Sequence, residues 1–262
     1  MVADELRVAR DGTGAFHRRH KLVAVDDTTV LAGVEDDMHH FELTLHHDGR
    51  RVTAIAGRAV RWPWSPCAEA PRALDALVGM PLDPFPAVNG GWADARSQCT
   101  HLFDLAAIAV AHAARHVSGG DGGCRSYLAV VPDWFEPPYD AWILRDGSEV
   151  LRWRVGPSST IVEGPAPFPG ARLNRRFVEW CREHLDDHDV AEAALLLRRA
   201  AWMSPARHMA LESIPTIAGT GLPTGVCYAT QPERVELARR NRGSLRDYGT
   251  RPQDLLSPFP AP

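Results

Sequence analysis

HHFELTLHHDGRRVTAIAGRAV, residues 39–60, reads as a β-hairpin and sets the class of the fold. Phe41, Leu43 and Leu45 alternate with polar residues, the period of a strand with one buried face. Asp48-Gly49 supplies the turn, because glycine accepts the positive φ that a tight hairpin needs. Upstream, KLVAV and TTVLA are short, β-branched and separated by Asp26-Asp27, so residues 21–62 read as consecutive strands.

Downstream of the hairpin the period changes. Ser65 suits a helix cap, Pro66 a first turn and Gly79 a stop, while Cys67, Ala70, Leu74, Leu77 and Val78 share one helical face. The Pro/Gly-rich PLDPFPAVNGGW connects this helix to a second, from about Ser97 to His116. SGGDGGC at 118–124 is a linker that lacks the Gly-Lys-Ser/Thr of a phosphate loop. Beyond it AWILRDGSEVLRWRV reads as a hairpin turning at Asp146-Gly147. RRFVEWCREHL and DVAEAALLLRRAAWM read as amphipathic helices, PERVELARR as a short last helix and SPFPAP as a disordered tail. No internal repeat is visible. The expected fold is α+β: an antiparallel sheet packed on helices over residues 1–118, closed by a second, more helical half over 125–262.

Composition narrows the function. The net charge of −4 supplies no basic field for nucleic acid. LFDLAAIAVAHAA, the most apolar window, is interrupted by Asp104 and His112 and is too short to span a bilayer. MVADELRVARDG lacks the apolar run of an export signal, and five cysteines, an odd number, fit a reducing compartment. A cytoplasmic protein is expected, with neither nucleic acid nor membrane as partner; homo-oligomer formation is left open.

Chemistry concentrates at the two helix starts. Cys67 and Cys99 each fall in a first turn, where unpaired N–H groups and the helix dipole favour thiolate over thiol. His101 lies two residues past Cys99, about 200° around a regular helix. The two converge only if that turn is bent around a ligand. His39 is in register to approach the same helix starts, whereas His46 and His47 read as surface and His112 and His116 as structural. Trp62 and Trp64 flank the approach to Cys67 and could wall a pocket, and Arg61 beside them could receive a carboxylate or phosphate. Gly-x-Ser-x-Gly, His-Glu-x-x-His and dinucleotide fingerprints are absent.

The order EDDMHHFELTLHHDGRRVTAIAGRAVRWPWSPCAEAPRALDALVGMPL, then QCTHLFDLAAIAVAH, then GVCYATQPERVELARR resembles an uncharacterised bacterial family labelled domain-of-unknown-function 2889. The resemblance covers most of residues 20–245, with Cys-Thr-His-Leu its most specific element, and implies no activity. The first half is also similar to iron–sulfur scaffold proteins of the NifU/IscU type. That resemblance implies that Cys67 and Cys99 stand at two scaffold ligand positions and Asp37 at the ligand aspartate. It departs at the scaffold's first cysteine, which falls near Glu35. It departs again at Gln98, where the scaffold has a histidine that this chain carries after the cysteine, as His101.

Two functions are expected from this. One is an enzyme with hydrolase or lyase-type chemistry on a small apolar, aromatic or acyl substrate held by Arg61, Trp62 and Trp64. Its site would be either a divalent metal, zinc or iron, on Cys67, Cys99, His101, His39 and Asp37, or a thiol–imidazole pair with catalytic Cys99, Cys67 and His101. The other is a sulfur or iron–sulfur carrier that docks on a partner protein.

Overall fold

The computed structural model describes residues 14–88, 91–120, 123–257 and 259–260. Strands β1 (Ala15–Asp26), β2 (Thr29–Glu35), β3 (His40–His47) and β4 (Val52–Arg61) form one meander. Strands β5 (Cys124–Pro132), β6 (Tyr139–Arg145), β7 (Ser148–Gly156) and β8 (Thr160–Glu163) form another. The two meet along β1 and β5 in a single antiparallel sheet of order β4-β3-β2-β1-β5-β6-β7-β8. Helix α1 (Thr100–Val117) follows the first meander, and α2 (Phe177–His184) and α3 (His188–Met203) follow the second.

Both Asp-Gly turns form. Gly49 has φ +85°, and Asp146 and Gly147 have φ +50° and +86°, the mirror-image turn that matches strand twist. Register then sorts the side chains. Leu22 pairs with Ala32, Ala32 with Leu43 and Val34 with Phe41, so these residues share one face of the sheet. That face packs on α1 and α3 in one continuous core. The opposite face is covered at the sheet centre by the end of the chain. Tyr248, Pro252 and Leu256 offer backbone carbonyls to His17, Arg19 and Lys21.

The topology contains a duplication that the sequence does not announce. Each half is a four-stranded meander followed by a helix, and each first strand sends a buried arginine to the second residue of its helix. Arg18 of β1 donates to His101 of α1, and Arg125 of β5 to Asp189 of α3. The arginine is the same in both halves and its partner differs, His101 in one and Asp189 in the other.

Four expectations need correction. The second half is not mainly helical, since four strands precede its helices. The helix expected from Ser65 to Gly79 is two 3₁₀ segments, Ser65–Ala68 and Ala70–Leu77. Pro71 has no N–H to continue an α-helix across Glu69 and Ala70. Leu74 still packs as its spacing predicts, close against Gly57 of β4, where an added Cβ would stand 2.9 Å from the Leu74 Cδ1. Residues 232–237 form turns in place of a last helix, and extended bridges tie Arg239 to Thr216 and Arg240 to Trp64. In the tail, Phe259 is buried on Val23 and Leu256, while residues 258 and 261–262 lie outside the described residues. The N-terminal stretch MVADELRVARDG and residues 121–122 of the linker lie outside the described residues.

Candidate functional site

Glu35 to His40 connect β2 to β3, and this turn has two chemical faces. Asp36 shapes it: its Oδ1 accepts from the backbone N–H of Met38 at 2.9 Å and of His39 at 2.8 Å, an Asx turn. Alternation then sends Asp36 and His39 towards α1 and Glu35 and His40 towards the opposite face.

On the helix face four buried side chains close into a network. Asp36 Oδ1 accepts from His39 Nδ1 at 3.0 Å, and Asp36 Oδ2 accepts from Arg18 Nη1. Arg18 Nη2 donates to His101 Nδ1 at 3.1 Å, and the His39 and His101 rings stand 3.9 Å apart with a 38° tilt. Phe41 lies beside both rings. Burial alone would raise the Asp36 pKa, but His39 and Arg18 hold it well below the usual carboxylate range. Burial lowers the His39 pKa, against the opposing pull of Asp36. It lowers that of His101 further, with His39, Arg18 and Arg199 adding to the effect. Both imidazoles are therefore neutral at pH 7. The network assigns their protons: His101 carries its proton on Nε2, since Nδ1 accepts from arginine, and His39 carries its proton on Nδ1, leaving the Nε2 lone pair without a hydrogen bond among the described residues.

The thiols behave differently from expectation. Cys99 is the N-cap of α1, in extended conformation just outside the helix, and the helix is regular from Thr100 onward. No bent first turn is needed, because Cys99 and His101 never share a helical turn. Burial pushes the Cys99 thiol up to about 11, although the His101 and Leu102 amides pull the other way. Burial also pushes Cys67 well above its ordinary value, and Cys99 and Cys227 add to that shift. Desolvation thus outweighs the helix-start effect, and Cys67 and Cys99 are thiols at neutral pH. Cys227, in the late GVCYATQP segment, packs with Cys67 on the small core of Trp64, Ile217 and Ala229.

The expected metal set does not assemble. Among the described residues no group of three or more His, Cys, Asp and Glu side chains converges as a metal ion requires. Asp37 faces the other way, accepting from Arg207 Nη1 at 2.5 Å and from the Tyr248 amide at 2.9 Å. Burial alone would lower the Arg207 pKa, but Asp133 and Asp37 raise it above the ordinary arginine value. His39 is held by Asp36 through Nδ1. Cys67, Cys99, His101, His39 and Asp37 are thus not gathered into one ligand set among the described residues.

The opposite face of the turn borders a cleft of about 410 Å³, lined by Glu35, His40, Arg61, Trp62 and the returning segment 241–248. A pocket between the halves walled by Trp62 is thus present, but Cys67, Cys99 and His101 do not line it. Trp64 is core, 6% exposed, with the Arg240 guanidinium 5.5 Å above its ring. Arg61 is committed internally, donating to Glu35 and to the carbonyls of Asp36, Asp37, His39 and Ser244.

Arg18 and Asp36 are the residues that sequence reasoning missed. Arg18 sits in the dipeptide Arg18-Arg19, whose members face opposite sides of β1, and Asp36 adjoins an identical Asp37. Comparison with known proteins names no relative: no family model matches the chain, and no curated protein is similar to it. Among the described residues no helix is long and apolar enough to cross a membrane.

Proposed function

We propose that the chain is an enzyme acting on a small molecule by acid–base chemistry of the hydrolase or lyase type. His39 is its base, Asp36 the group that orients it, and His101 the neighbouring proton donor. One observation carries this reading. A neutral imidazole is held through Nδ1–H by a buried carboxylate, and its Nε2 lone pair makes no hydrogen bond to the described protein. That is the arrangement by which a carboxylate fixes tautomer and orientation in general-base catalysis.

The second half supplies a comparison. There the equivalent arginine, Arg125, meets the carboxylates of Asp189 and Glu192 and the Tyr127 hydroxyl. Two carboxylates are what a purely structural solution uses. In the first half Arg18 meets one carboxylate, Asp36, and one imidazole, His101, and a second imidazole, His39, binds that carboxylate; imidazole is the side chain that moves protons near neutral pH. The carrier reading asks for an exposed thiolate, and the burial of Cys99 weighs against it. The finer fold likeness to NifU/IscU-type scaffolds belongs to the same proposal. It is supported by the succession of hairpin, Cys67 turn, connection and Cys99-capped helix.

Turnover of a panel of small acyl esters and β-elimination substrates tests the proposal. His39→Gln should lower kcat by roughly 100-fold or more, the contribution of a positioned base. Cys67→Ser and Cys99→Ser should retain most of it. Turnover undiminished in His39→Gln would overturn the reading.

A further inference from the structure

The cleft on the other face of the β2–β3 turn has a charge pattern of its own. Three arginines, Arg61, Arg242 and Arg246, line it against one carboxylate, Glu35. Glu35 is fully engaged, accepting from Arg61, from the Tyr248 hydroxyl at 2.8 Å and from the Leu256 amide at 2.7 Å. His40 is bound through Nε2 to Glu42 at 3.0 Å. Neither of the other two arginines meets an acid among the described residues. The Arg246 side chain donates to the carbonyls of Gly243 and Leu245, and Arg242 is exposed with no hydrogen bond or ion pair to the described residues. In a chain of net charge −4, this is a local concentration of unpaired positive charge.

A second observation points to a ligand. Ser244 lines the same cleft, is 6% exposed, and its Oγ is buried without any hydrogen-bond partner. A buried hydroxyl left unpaired costs free energy, and this one belongs to the cleft that Arg242 and Arg246 also line. Trp62 and Val60, which is 37% exposed, give this otherwise polar cleft an apolar part of its lining.

We infer that this cleft binds a small organic anion. Its carboxylate or phosphate group is received by Arg242, Arg246 and the Ser244 hydroxyl, and its flat apolar body lies against Trp62. Arg61 is the positioning residue: its bonds to the Ser244 carbonyl and to the 36–39 turn hold the cationic segment against the sheet. Charge-assisted, forked contacts from arginine suit both anion types, and the aromatic wall selects against a bare inorganic ion. The seat does not involve His39 and stands whether or not His39 is catalytic.

Calorimetric titration of the full chain with benzoate, phenyl phosphate and inorganic phosphate tests this. Saturable one-to-one binding of benzoate or phenyl phosphate is expected, and the tighter of the two identifies the anion. The Arg242→Ala/Arg246→Ala double variant changes exposed side chains and should keep the wild-type melting curve. It should bind at least about tenfold more weakly, as expected for losing charged hydrogen bonds. Trp62→Ala should weaken the aromatic probes and leave inorganic phosphate unchanged. Three results would each overturn the proposal: no saturable binding of either aromatic probe at millimolar concentration, equal affinity in the double variant, or inorganic phosphate binding as tightly as phenyl phosphate.

Discussion

His39 and His101 face one another at 3.9 Å between ring centroids, yet only one of them touches a carboxylate. His39 gives its Nδ1 proton to Asp36, and His101 takes a hydrogen bond from Arg18 on the same ring atom. Two imidazoles in contact thus hold opposite tautomers, one with its lone pair on Nε2 and the other with its proton there.

Nitrogen chemical shifts of these rings test that assignment. Both should be neutral at pH 7, His39 protonated on Nδ1 and His101 on Nε2, because burial lowers both pKa values. Titration of either ring near the ordinary histidine value of about 6.5 would contradict the network.

Arg18 is the counter-ion of the cluster. Arg18→Met should destabilise the fold by about 3–5 kcal/mol, since it leaves the Asp36 charge buried without its arginine. The double change Arg18→Met with Asp36→Asn should recover part of that loss. Denaturant unfolding measures both, and additive losses in the double variant would show that the two groups are not coupled.

Acid should unfold the protein well above the pH at which surface carboxylates titrate. Burial lowers His17 and His112 to about 4. Between that value and the unfolded pKa near 6.5, the unfolded chain binds more protons, so stability rises with pH. The contribution is complete above about pH 6.5 and is lost as pH falls towards 4. By pH 5 each histidine should account for about 2 kcal/mol of lost stability. A thermal midpoint unchanged between pH 7 and pH 5 would contradict this.

Thiol labelling separates the cysteines. Cys181 is fully buried and pushed up to about 12, and Cys99 is 6% exposed and pushed up to about 11. Iodoacetamide at pH 7.5 should leave both unmodified in the native protein and label both after unfolding. Rapid native modification of Cys99 by mass spectrometry would restore the nucleophilic-thiol reading.

What the sequence made legible follows from how local each signal was. Asp48-Gly49 and Asp146-Gly147 announced their hairpins because a turn is decided by its own two residues. The helical faces of RRFVEWCREHL and DVAEAALLLRRAAWM were equally plain, since one side of each meets the core. The first strand was only half visible. AFHRRH shows no alternation because both faces of β1 are covered, one by α1 and one by the chain terminus. In the site, His39 and His101 were recognisable and do meet. Asp36 was not, because only the turn geometry decides which of two adjacent aspartates points inward. The partner that Arg18 finds in His101 lies 83 residues away, a distance at which no local pattern could register it.

The pairing of β1 with β5 also bears on how the chain is made. β1 finds β2 three residues after it ends, but its other edge waits for residues 124–132. During synthesis the first meander therefore emerges with its future central strand exposed along one side. An unpaired edge of that length is a template for association with other nascent chains. Arg18, Arg19 and Lys21 lie within it, and their charges discourage such pairing until β5 arrives. The residues that later hold the buried cluster and clasp the chain end thus also put positive charge on the edge that stays open until β5 is made.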